Sequence, residues 1–269
     1  MKVRLTNRCM DLLRLLRAAR WLTTGQVRCR FFPHTTVDAA HKRLRKLTEA
    51  TYLTMVREHR MTEALFTLGP GGKRVLERTG AEQIVLERQP PKQLAHFIGI
   101  NDLRIAAERS AELGYFFACW ELPGLGWSHG IIPDAVFSLA HRTFAVEFDR
   151  GKEGIRYFMR TKVAAYLQGL EGFPLAAVLI VTDRQARMVS LTKMITDRQG
   201  LILYTTLDLV REHGILAPVF HRQVGQDGLA PLQGLWSSSL DEQRVFSVQP
   251  PLNQKVTLIG DRPIKAEEQ

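Results

Sequence analysis

The sequence predicts a mixed α/β (α+β) chain of two domains followed by an irregular tail, and three observations carry that prediction. Apolar residues first recur at helical spacing and later alternate in strand-like runs, so both kinds of element are present. Residues 1–92 hold 19 Lys+Arg against 8 Asp+Glu, while the remainder holds 18 against 19, so the formal charge of +10 comes from the first third. Pro90-Pro91 then separates the basic segment from the near-neutral one. The expected boundaries are 1–90, 91–220, and an extension over 221–269 with a disordered end. At 269 residues and 45% hydrophobic content the chain can bury a full core. A field of this sign attracts a polyanion.

In the basic segment, Leu12, Leu13, Leu16 and Ala19 fall on one helical face between Cys9 and Trp21, with Arg14, Arg17 and Arg20 largely off it. Thr23-Thr24 cap a short second helix from Val27 to Phe31, which Pro33 ends. Thr35 precedes Asp38 by three residues in a capping-box pattern, and Val37, Ala40, Leu44 and Leu47 form the buried stripe of a third helix. Its other face carries His41, Lys42, Arg45 and Lys46. Two strand-like runs, Tyr52 to Arg57 and Ala64 to Leu68, flank a polar tip, and a further helix restarts with Gly69 to Gly72 as the break. This order is that of a winged helix-turn-helix, whose third helix enters the major groove. Double-stranded DNA is the expected partner. Thr35, Thr36, His41, Lys42, Arg43, Arg45 and Lys46 are the candidate contacts on the third helix, and Arg57, His59 and Arg60 those on the wing. The alternative is an ordinary solvated helix face.

After the prolines, a long helix from Leu94 to Leu113 is expected to stop at Gly114. Strands follow over Tyr115 to Trp120, Ile131 to Leu139 and Thr143 to Asp149, then a helix from Glu153 to Leu170 and a strand from Leu175 to Val181. Helix, strand and helix follow again up to His213. This is the order of a restriction-endonuclease-like mixed-sheet core. Strand alternation puts Glu147 and Asp149 on one face. Asp134 lies 13 and 15 residues before them, an odd separation that brings it to the same face of an antiparallel hairpin with an even loop. Carboxylates so placed repel unless a proton or cation intervenes, and Asp134 with Glu147 would suit Mg²⁺ or Mn²⁺. Lys162 falls in the apolar stripe of Ile155, Phe158, Met159 and Tyr166 and needs a partner there, or snorkels at the stripe's edge. Weaker candidates are Glu108 and Glu112, one turn apart on the long helix, and Glu121 at the end of the first strand.

Pro133-Asp134, Glu147-Phe148-Asp149-Arg150-Gly151, Lys162 and Tyr166, set behind a winged helix, resemble the replication-relaxation proteins of bacterial plasmids and conjugative elements; the likeness spans about Leu12 to Thr182. It implies DNA binding in plasmid or mobile-element replication or mobilisation, beside replication or relaxosome proteins, and a core similar to PD-(D/E)XK nucleases. Such nucleases carry lysine two residues after the glutamate, where this chain has Asp149. Lys162 is then a migrated replacement, or the site is a scaffold without cleavage. In the first case the chain is a Mg-dependent endonuclease, with Asp134, Glu147, Asp149 and Lys162 catalytic. A transcriptional regulator is the third reading. The three cysteines show no metal-ligand spacing. Arginines interrupt the N-terminal apolar stretch, and no apolar run reaches membrane length, so no membrane partner and a cytoplasmic location are expected.

Overall fold

A computed structural model describes residues 3–57, 62–81, 84–168, 175–195, 201–217 and 219–221. It is a mixed α+β structure with a three-stranded and a five-stranded sheet. Two compact units meet between Ile105 and Ala106. No described helix is long and apolar enough to cross a membrane.

In the first unit, α1 (Asn7–Ala19) buries Leu12, Leu13, Leu16 and Ala19. Thr23 caps α2 (Thr24–Phe31) in a reciprocal box: the Gln26 backbone N–H donates to its hydroxyl, and its own N–H donates to the Gln26 side chain. Such a cap contributes about 1 kcal/mol. The cap of α3 (Val37–Glu49) is Thr36, which accepts from the Ala39 N–H, one residue later than the pattern around Thr35 and Asp38 suggested. Thr35 instead donates to the Phe32 carbonyl, which holds it in the turn that follows α2. Ala40, Leu44 and Leu47 are buried as expected, but Val37, in the first turn, is 45% exposed and leaves the stripe.

β2 (Leu53–Val56) and β3 (Leu65–Leu68) pair antiparallel, and β1 (Leu22–Thr23) joins the far edge of β3. The hairpin tip, with His59 and Arg60, lies outside the described residues. The glycines of α4 (Pro70–Arg78) are packing positions rather than a break: a Cβ on Gly72 would lie 2.4 Å from the Tyr52 carbonyl oxygen. α5 (Leu94–Ala107) ends six residues before the expected Leu113 and packs with the basic segment. Its Asn101 amide donates to the carbonyls of Ala19 and Trp21, at the end of α1, and Gln26 donates to Ile98 and Asp102. Leu94–Ile105 accordingly groups with the first compact unit.

In the second unit the sheet order is β4-β5-β6-β7-β8: β4 (Leu113–Ala118), β5 (Ala135–Leu139), β6 (Arg142–Asp149), β7 (Ala177–Thr182) and β8 (Ile202–Thr206). The first three are antiparallel and the last two run parallel to β6. Gly114 lies inside β4, where a Cβ would lie 2.4 Å from Ser138 Oγ, so it admits a neighbouring strand rather than stopping a helix. Ala140 and His141, both at positive φ, make the two-residue turn between β5 and β6. Phe137 and Phe144 stack in the core at 5.1 Å. Between β6 and β7, α6 (Ile155–Phe158) passes through a π-turn (Met159–Val163) into α7 (Ala164–Gln168). α8 (Gln185–Met194) precedes β8 and α9 (Leu207–His213) follows it. The runs Leu235-Trp236 and Val245-Phe246, and nearly all of the 221–269 extension, lie outside the described residues.

Candidate functional site

Two groups of charged residues, one in each unit, are candidates, and their environments differ. On α3, the buried stripe forces the intervening positions outward, so His41, Lys42, Arg45 and Lys46 are all exposed. Arg45 lies 3.7 Å from Glu49, an exposed pair that binds it only loosely. Arg43 is different. It is half-buried and donates to the Arg4 carbonyl and to Cys9 Sγ, both at 2.8 Å, so it ties the N-terminal segment to α3. The Cys9 thiol is lowered from its ordinary pKa: burial opposes ionisation, and hydrogen bonds from Thr6 and Arg43 outweigh it. Arg57 is exposed at the end of β2. With Arg28, His41 and Glu63 it lines a cavity of about 220 Å³. Glu63 accepts from the Gly25 N–H. Neither Arg28 nor Glu63 is apparent from the sequence, since only the fold brings α2, α3 and the hairpin together.

In the second unit, the two-residue turn satisfies the even-loop condition, and the ladder pairs Ala135 with Val146, so one step further sets Asp134 opposite Glu147. Glu147 is 2% exposed on a central strand. The Tyr166 hydroxyl donates to Oε1 at 2.5 Å, and Lys162 Nζ lies 3.1 Å from Oε2 and 3.3 Å from Oε1. Lys162 also donates to the Ile132 carbonyl. Lys162, in the π-turn, and Tyr166, four residues on in α7, converge on one carboxyl. Burial, then the neighbouring Asp134 charge, pushes the Glu147 carboxyl up to about 8, against the pull of Lys162 and Tyr166. Burial would lower Lys162, but Glu147 and Asp134 hold it above its usual value. The Tyr166 hydroxyl is pushed up by burial and by Glu147. Cys119, which the sequence did not single out, reaches about 11 through burial and Asp134.

Asp149 does not join this group. Arg187 Nε donates to its Oδ2 and the Gly151 N–H to its Oδ1, each at 2.7 Å, while Arg187 also holds the Glu153 carbonyl. Asp134 Oδ2 accepts from the Phe148 N–H at 2.8 Å. Among the described residues no three His, Cys, Asp or Glu side chains converge to hold a metal. Mg²⁺ needs carboxylate oxygens free to coordinate it, whereas Tyr166 and Lys162 engage both oxygens of Glu147 and Arg187 holds Asp149. In this arrangement the residues do not fit the ion. Glu108 and Glu112 lie beyond the end of α5 and share no helical turn, and Glu121 folds back to accept from the Ala118 N–H.

The family model described as replication-relaxation matches residues 13–172, more than half of the chain. Neither the curated proteins nor the solved structures contain a match.

Proposed function

Because the chain belongs to the replication-relaxation family, which is tied to replication and mobile elements, we propose that it is a DNA-binding accessory protein acting in plasmid or mobile-element replication or mobilisation. On this reading the first unit is a winged helix that grips duplex DNA through α3, alongside replication or relaxosome proteins. The observation that carries it is the outward face of α3, where His41, Lys42 and Lys46 are exposed and, among the described residues, have no ion-pair partner. The Thr36 cap leaves α3 a well-defined start, and Arg28 and Arg57 add positive charge beside it. Phosphates neutralise such side chains and release counterions, and Arg45 is free to leave its loose pair for them. Arg43, held by Arg4 and Cys9, supports the helix from behind.

The test is a fluorescence-anisotropy titration of a labelled duplex from low to moderate salt. The logarithm of affinity should fall linearly with the logarithm of salt, with a slope of about −0.9 per phosphate contact. Absence of a complex in dilute buffer would refute the proposal. One observation favours the endonuclease reading, the contact of Lys162 with Glu147. Against it stand the engaged carboxylate oxygens and the diversion of Asp149 to Arg187. Incubation of supercoiled DNA with Mg²⁺ or Mn²⁺ should therefore give no nicking. Nicking that disappears in Glu147→Ala and in Lys162→Ala would reinstate cleavage.

A further inference from the structure

The second unit carries its own concentration of positive charge. Residues 150–162 contain Arg150, Lys152, Arg156, Arg160 and Lys162 against Glu153 alone, whereas the rest of residues 93–269 holds 13 Lys+Arg against 18 Asp+Glu. Two of the five cations are spent within the fold: Lys162 on Glu147, and Arg150 on Asp183 at 3.7 Å. Lys152, Arg156 and Arg160 are exposed and, among the described residues, have no ion-pair partner.

Arg156 on α6 and Arg160 in the π-turn are four residues apart, and both are exposed while Phe158 and Val163 stay buried. Tyr157, 51% exposed, is on the same outward face, and the exposed Thr161 donates to its carbonyl. Like charges four residues apart repel, and an aromatic ring in water gains nothing from folding. Both features become favourable when a polyanion with flat faces is bound. Phosphates relieve the guanidinium groups, and a base stacks on the ring.

We infer that the face formed by Arg156, Tyr157 and Arg160 is a binding surface for single-stranded nucleic acid. The single strand is specified by the ring: the bases of a duplex are stacked on one another and present no free face to Tyr157, whereas unpaired bases do. The surface shares no residue with α3, so it stands or falls independently of the duplex-binding proposal.

The experiment titrates the full chain with labelled oligo-dT and, separately, with a labelled duplex. Four proteins are compared: wild type, Tyr157→Ala, Tyr157→Phe, and the pair Arg156→Gln with Arg160→Gln. All substituted positions are on the surface, and thermal melting checks that the variants fold. Tyr157→Ala should weaken oligo-dT binding roughly tenfold and Tyr157→Phe should preserve it, in line with base stacking on an aromatic ring. The double arginine variant should lower the salt slope on oligo-dT by about 1.4, at ~0.7 per phosphate contact on a single strand. Duplex affinity should stay within twofold for every variant. The inference is overturned if the variants bind oligo-dT like wild type, if Tyr157→Ala loses as much on duplex as on oligo-dT, or if poly-glutamate displaces oligo-dT as well as unlabelled oligo-dT does.

Discussion

On α3, Lys42 and Lys46 stand in solvent and, among the described residues, have no ion-pair partner, whereas on β6 two acids are buried and each is held by a basic side chain, Glu147 by Lys162 and Asp149 by Arg187. Both regions attract attention in the sequence for the same reason, clustered charge. Their surroundings assign them different work. Exposed, unpaired charge costs the fold little and remains available to a partner. A buried acid must be satisfied within the protein by a proton, hydrogen bonds or a cation, and the side chains that do so are then committed. The lesson is that a charged cluster is read by what already satisfies it, before any ligand is considered.

The largest effect separating the two regions is expected at Asp149. Asp149→Ala leaves the Arg187 guanidinium, 13% exposed, without its partner. Urea unfolding should show a loss of about 3–5 kcal/mol. The same substitution at exposed Asp38, on α3, should cost under about 1 kcal/mol. Next comes Tyr166→Phe, which removes the 2.5 Å hydrogen bond to Glu147 and should cost ~1–3 kcal/mol by the same measurement.

The third contrast is in pH dependence. The folded Glu147 carboxyl keeps its proton up to about pH 8, while the unfolded one loses it near its ordinary 4.5. The folded state therefore binds more protons across this window, and wild-type stability falls as pH rises from about 4.5 to about 8. Glu147→Gln cannot ionise, so unfolding free energies taken at intervals should show the variant gaining on wild type through that window and a constant difference above it. A wild type that gains on the variant instead would reverse the sign. The smallest effect is expected at Arg43. Arg43→Ala should cost about 1 kcal/mol in stability through its lost bonds to Arg4 and Cys9, with little change in the salt slope of duplex binding. Lys42→Ala with Lys46→Ala should do the opposite.

What the sequence disclosed follows from the range of the interactions involved. The helices of the first unit and the convergence of Asp134 and Glu147 were legible, because stripe spacing and hairpin parity are local rules, and the Ala140-His141 turn obeys them. β1 was not, since two residues show no period. α5 looked like the start of the second domain because its bonds to Ala19 and Trp21 cross some 80 residues of chain. The same applies to Asp149, whose partner Arg187 is 38 residues away, and to Arg43, whose tie to Arg4 spans 39. Lys162 was visible as a lysine in an apolar stripe. Tyr166 fell in the same stripe, where an aromatic ring reads as packing, so its hydrogen bond to Glu147 was not apparent.

The central claim is that α3 meets DNA while the charges beside β6 hold the fold together. Lysine acetylation under native conditions, followed by mass spectrometry with and without saturating duplex, addresses both halves at once. Lys42 and Lys46 should lose reactivity severalfold when duplex is added, while Lys162, held by Glu147, should react slowly and equally in both samples. Unchanged labelling of Lys42 and Lys46 in the presence of bound duplex, with protection found at Lys162 instead, would contradict the account.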